Sequence, residues 1–315
     1  MVPKDFLSHY GRQFGTLIGL LVLMLVLWIL TPHFFTVPNL LNVAQQTSIN
    51  AIIAVGMTFV IITAGIDLSV GSIVAFSGVV LASVLQAGLP VPLAIAVGLG
   101  VGLLSGLVNG LLITYGRLPP FISTLGMMSV ARGAALLYSQ GRPISGFSEN
   151  FRLLATGETF HIPNPVIIMV LVYAAAHFVL TRTKLGRYTY AIGGNEEAAS
   201  LSGVNVRLYK AMVYGLSGLL SGLGAIILTA RLNSAQPIAG VMYELDAIAA
   251  TVIGGTSLMG GEGRIVGTLI GAFIMGVLRN GLNLLGVSSF VQQTVIGSVI
   301  IMAVLIDMTL KKQRT

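Results

Sequence analysis

VPLAIAVGLGVGLLSGLVNGLLIT, residues 91–114, runs for 24 residues without a charged side chain. At 1.5 Å per residue a helix of that length spans about 36 Å, enough to cross a bilayer's ~30 Å hydrocarbon core. Within it Gly102, Gly106 and Gly110 recur every fourth residue. That spacing places them in a row on one helix face, where the missing side chains let a second helix approach closely. One stretch therefore predicts both a membrane span and its packing in a bundle. Gly218 and Gly222 form a second row of the same kind.

The rest of the chain repeats this pattern. Of its 315 residues, 55% are hydrophobic and 9% charged, and the mean hydropathy is +0.92. Soluble domains carry about 25% charged residues, which excludes a large soluble fold. Apolar runs between polar or Pro/Gly breaks fall at about 15–31, 40–64, 68–87, 91–114, 119–139, 163–181, 211–231, 244–259, 265–285 and 290–308. These predict about ten transmembrane helices. The first run follows Lys4 and Arg12, as a signal peptide would, but Thr31-Pro32-His33 offers no small-x-small cleavage pattern. It reads as an uncleaved span. The expected fold class is all-α polytopic, one transmembrane domain over residues 1–315.

The formal net charge of +7 raises nucleic acid as a partner, but the basic residues sit in short loops and at the termini. With an even number of spans and the N-terminus inside, twelve basic residues fall inside and three, Arg142, Arg152 and Arg231, fall outside. The positive-inside rule then predicts that both termini are cytoplasmic. Two connections are long: 140–162 on the outer side, and 182–210 on the cytoplasmic side with five of the basic residues.

Several chemistries are missing. The chain has no Gly-Lys pair, so no P-loop lysine to hold nucleotide phosphates. His9, His33, His161 and His177 form no HExxH, and there is no cysteine. Neither a metal site nor an enzyme is expected. Asp67 falls at a turn, Glu244 and Asp246 at the outer end of a span, and Asp307 in a last helical turn. No carboxylate is then central, which argues against proton or sodium coupling. Arg132 and Arg279 fall within spans and are expected to face the bundle interior, water or an interface, in a pathway or a structural role.

Against this background GGNEEAASLSGVNV, residues 193–206, stands out as polar. Asn195 is a good N-cap, Glu196 and Glu197 occupy the first turn where the helix dipole favours negative charge, and Gly203 supplies a left-handed stop. The predicted product is a two-turn helix, too short to be stable alone. It needs a surface to lean on.

This stretch resembles the cytoplasmic loop of permease subunits in bacterial sugar importers of the ATP-binding-cassette (ABC) class, the ribose, xylose, arabinose and galactose group. Further likenesses are NLLNVAQQTSINAIIAVGMTFVIITAGIDLSVGS (39–72), LGRYTYAIGGNEEAASLSGVNV (185–206), ARLNSAQPIAG (230–240), YELDAIAATVIGGTSLMGGEGRIVGTLIGA (243–272) and NGLNLLGVSS (280–289), which follow family order over most of the chain. The likeness is greatest to the ribose branch. It implies a multi-pass inner-membrane permease that imports ribose or a related monosaccharide by alternating access. It also implies a second copy of the chain, a separate ATPase that uses ATP and Mg, and a periplasmic sugar-binding protein, with no cofactor on this chain. Carried over by position, Gly194, Asn195, Glu196, Glu197, Ala198, Ala199 and Ser200 are the expected ATPase contact. A neutral polyol needs uncharged hydrogen-bonding groups, and Asn50, Thr63, Ser69, Ser72, Asn109, Asn280 and Asn283 are the candidates to line its path. An ATP-independent secondary transporter or facilitator is the alternative.

Overall fold

The structure, a computed structural model, describes residues 4–312. The chain ends beyond them, Arg314 among them, lie outside the described residues. Helices α1 (Lys4–Leu30), α2 (Val37–Ile62), α3 (Val70–Gln86), α4 (Val91–Thr114), α5 (Pro120–Ser139), α6 (Glu149–Thr156) and α7 (Asn164–Arg182) make up the first half of the chain. They are followed by α8 (Lys184–Gly194), α9 (Glu196–Leu201), α10 (Val206–Leu232), α11 (Tyr243–Ile253), α12 (Ile265–Leu284) and α13 (Ser289–Lys312). Six of these, α2, α4, α5, α7, α10 and α12, are long and apolar enough to cross a membrane. Shorter apolar helical stretches cover Phe14–Leu30, Val70–Gln86 and Ser289–Leu305.

α2 is the central rod. Every residue from Ala51 to Thr63 is buried, as expected of a helix that is apolar on all faces. Beside it α4 and α10 touch along their glycine rows. A Cβ on Gly106 would lie 3.0 Å from the Gly218 Cα, and one on Gly218 would lie 2.8 Å from the Gly106 Cα. Gly102 meets Gly218 and Gly222, and Gly110 meets Ala211. α4 begins and ends where the sequence predicts, because Pro90 and Pro92 bracket its first residue and Tyr115-Gly116 ends its apolar run.

The expected span at 244–259 differs. α11 has only 11 residues, about 16 Å of helix, too short for a bilayer. Gly254 and Gly255 (φ +90°) stop it. What precedes it, apart from a two-residue strand at Ser234–Ala235, is irregular chain that turns back into the bundle. The last turn of α10 faces α3 at Gly78, through Thr229, whereas Gly240 packs on Gly71 at the start of α3. Residues 233–242 thus retreat along α3, and α11 begins inside the bundle. Arg132 of α5 donates through one guanidinium nitrogen to the carbonyls of Pro237 (2.8 Å) and Ala239 (2.6 Å). Buried irregular backbone needs such a partner, so of the two open roles for Arg132 the structure shows the hydrogen-bonding one.

The connection 140–162 is folded. Strand β1 (Ile144–Ser145) pairs antiparallel with β4 (Ser234–Ala235), and β2 (Glu158–Thr159) pairs with β3 (Ile162–Pro163). α6 buries Phe151 and Ala155, and Gln45 donates to the Ala155 carbonyl at 2.7 Å.

Candidate functional site

A cavity of about 110 Å³ opens between α2, α11, α12 and the end of α10. Its polar lining includes Gln46, Thr47, Asn50, Arg231, Asp246 and Arg279, with Tyr243 beside them. The carboxylate of Asp246 is 3% exposed and accepts both hydrogen bonds of one Arg279 nitrogen, at 2.8 and 2.9 Å. Asn50 Nδ2 adds a third, to Asp246 Oδ2 at 3.1 Å. Asn50 lies 12 residues from the C-terminal end of α2 at Ile62, about 18 Å along the helix.

This corrects one expectation. Asp246 is a central carboxylate, because the re-entrant 233–242 segment carries the start of α11 inward. Arg279 lines the same cavity as that carboxylate's partner, within the placements expected for it. Nothing in the local sequence pairs residues 50, 246 and 279; only packing brings them together.

Five buried side-chain atoms among the described residues lack a hydrogen-bond partner, and two of them, Thr47 Oγ1 and Asn50 Oδ1, belong to residues lining this cavity. A buried acceptor left unmatched costs about 1–3 kcal/mol. Folded proteins keep few such atoms, and a bound water, ion or ligand is one thing that accounts for them. Thr47 sits where α12 has Gly276, whose missing side chain makes room for the threonine hydroxyl.

The other candidates for the path sit elsewhere. Ser69 and Asn109 meet around Asp67, which is fully buried. Ser69 donates to Asp67 Oδ1 from its amide (3.0 Å) and its hydroxyl (2.5 Å), Ser217 donates to Oδ2 (2.8 Å), and Asn109 donates to Ser69 (2.9 Å). This network ties the α2–α3 turn to α4 and α10. Ser72 is buried in the first turn of α3, and Thr63 donates to the Val60 carbonyl at the end of α2. Asn280 exchanges two hydrogen bonds with Asn39, and Asn283 accepts from Gln292. Of the seven, Asn50 alone lines the cavity.

The second locus is the 182–210 segment, which contains two short helices where the sequence predicts one. Thr183 caps α8 by accepting from the Gly186 amide. Asn195 caps α9, accepting from the Ala198 amide at 2.9 Å. Gly203 (φ +83°) closes α9, with its own amide on the Ser200 carbonyl and that of Val204 on the Ala199 carbonyl. Ala199 is the buried anchor of α9, whereas Gly194, Asn195, Glu196, Glu197, Ala198 and Ser200 are exposed. Glu196 is paired with Lys210 at 2.6 Å, while Leu201, which the sequence reading passes over, is 84% exposed.

α8 supplies the surface that α9 needs. Gly193 packs on the Ile62 carbonyl, at the end of α2, and on the Gly261 amide, which itself donates to Ile62 at 2.9 Å. Tyr190 donates to the Gly263 carbonyl at 2.6 Å, just ahead of α12. Burial pushes the Tyr190 phenol up, against the opposing pull of Arg264, so it remains the protonated donor. An exposed helix pair is thus seated on the ends of the two long helices, α2 and α12, whose interiors line the cavity.

The family described as "branched-chain amino acid transport system / permease component" matches residues 39–306. The chain belongs to this permease family. Ribose import permease protein RbsC of Escherichia coli (strain K12) is 54% identical over 308 residues, 96% of this chain and 96% of that protein. Its namesake in Bacillus subtilis (strain 168) is 54% identical over 298 residues, 94% of this chain and 92% of that one. The D-allose transport system permease protein AlsC of E. coli (strain K12) is 40% identical over 312 residues, 98% of this chain and 95% of that protein. No solved structure matches the permease. Its relatives are transport permeases and not enzymes, and with its apolar helices they make it a multi-pass membrane protein.

Proposed function

We propose that the permease is the membrane-spanning subunit of an ABC sugar importer, moving ribose or a related monosaccharide inward through the bacterial inner membrane by alternating access. Two copies assemble with a separate cytoplasmic ATPase and a periplasmic sugar-binding protein. Both termini and α8–α9 face the cytoplasm, and the folded 140–162 segment faces the binding protein. The permease carries no cofactor of its own; ATP and Mg act on the ATPase, which engages residues 194–200.

The observation that carries this reading is the seating of α8–α9 on the ends of α2 and α12. A partner that moves the exposed α9 moves, through Gly193 and Tyr190, the two helices that line the polar cavity. Ribose is favoured as cargo by 54% identity to ribose import permeases against 40% to the D-allose permease.

The test is uptake of labelled ribose into proteoliposomes holding the permease with its ATPase and binding protein. Uptake is expected only with all three and ATP, and unlabelled leucine should not compete. A second reading, ion-coupled transport by the permease alone, gains one observation, the central Asp246. Robust uptake by the permease alone under a proton gradient would establish that reading and overturn the first.

A further inference from the structure

We propose that the cavity between α2, α11 and α12 is a polyol-binding site contained within one chain. In it Asn50 and Thr47 accept hydrogen bonds from sugar hydroxyls, while the Asp246–Arg279 pair grips a neighbouring pair of hydroxyls. The proposal rests on the sugar-importer reading and names where, in a single chain, the sugar is held.

Three features point to this ligand chemistry. First, Thr47 Oγ1 and Asn50 Oδ1 are buried without partners, and both residues line the cavity. Asn50's amide nitrogen is already committed to Asp246, so its free oxygen can only accept, and the ligand must donate. Second, Asp246 already neutralises Arg279. A zwitterion would have to break that pair to find its two opposite charges, whereas a hydroxyl both donates to a carboxylate and accepts from a guanidinium. Arg231 and Gln46 add further donors at the wall. Third, the cavity of about 110 Å³ has room for several waters by the measure in which one needs roughly 10–15 Å³. A sugar's hydroxyls can take the places that such waters would fill.

The walls also fit a transported ligand. Two sides are the interiors of α2 and α12, the helices on which α8 sits, and the third is the half-length α11. A shift of α2 against α12 opens or closes the site without breaking a membrane-length helix.

The permease has no cysteine, so a single thiol reports on the cavity. Met275 lines it beside the proposed contacts without being one of them. In Met275→Cys permease the labelling rate by a small methanethiosulfonate is measured with and without millimolar ribose. Ribose is expected to slow labelling at least about threefold. Adding Asn50→Ala, or the shape-preserving Thr47→Val, should raise the ribose concentration needed for half-protection about tenfold, the cost of one hydrogen bond. Gel filtration and melting temperature check that each variant is folded. Equal labelling with and without ribose overturns the site, and so does protection that survives both substitutions unchanged. Protection by leucine but not ribose overturns the polyol assignment while leaving ATP-driven transport standing. Protection by ribose with no ATP-driven uptake sinks the importer reading and leaves the binding site in place.

Discussion

Gly193 has no space for a side chain, since a Cβ there would overlap the Ile62 carbonyl oxygen. Its neighbour in function is Tyr190, one turn earlier, whose hydroxyl holds the Gly263 carbonyl. Tyr190→Phe removes that bond alone, worth about 1–2 kcal/mol. The full complex should then keep its basal ATPase rate but import several-fold less sugar per ATP, read by paired uptake and phosphate-release assays. Asp67 is a different case: Ser69 and Ser217 point three donors at it. Asp67→Asn turns an amide NH₂ on some of those donors, and a loss of about 2–3 kcal/mol is expected. A clear drop in melting temperature in detergent checks it, and an unchanged one would show that the network tolerates the amide. The sequence shows Asp67 at a turn, but not that Ser217, 150 positions away, closes the network.

At the scale of elements, α9 is legible in the sequence down to its caps, because capping is a contact between near neighbours. Asn195 and Gly203 do what their residue types predict. The exposed acidic turn is more specific than it looks in sequence. Glu196 is held by Lys210, so Glu196→Lys would set two like charges together and loosen α9 itself. Glu197 is exposed and makes no such pair among the described residues. Glu197→Lys is therefore the cleaner probe: the permease should accumulate and melt normally, while its affinity for the ATPase falls several-fold in a pull-down or calorimetric titration. Binding equal to the unsubstituted protein would remove Glu197 from the contact. α11 is the element the sequence misreads. Its run 244–259 has the composition of a span, and composition does not reveal that residues 233–242 fold inward and leave the helix half length.

The whole molecule joins an exposed helix pair to an internal cavity through two rods. α2 runs from Asn50 to the Gly193 contact in one unbroken helix, and α12 runs from just beyond Gly263 to Arg279. Packed helices move as units, so a displacement at α8 reaches the cavity walls. In the assembled complex, trapping the ATPase with a non-hydrolysable ATP analogue should change the labelling rate of Met275→Cys about threefold or more, and Tyr190→Phe should reduce that change. An identical rate in both nucleotide states would mean that the cavity does not respond to the partner.

The glycine rows lie between these cases. Gly102, Gly106, Gly218 and Gly222 announce close approach by their spacing, yet the spacing does not say that the two rows meet each other. The sequence by itself determined what depends on composition and on neighbours a few residues apart. The apolar runs, the helix starts and stops, the missing P-loop and the small capped helix are all of that kind. Only the tertiary structure decided the rest: that α11 starts inside the bundle, that Arg132 serves backbone carbonyls, and that Asn50, Asp246 and Arg279 surround one cavity. Those outcomes rest on contacts between residues far apart in the chain, Asn50 with Asp246 across 196 positions and Asp246 with Arg279 across 33. Local propensity carries no information about such pairs, because chain packing alone brings them within reach.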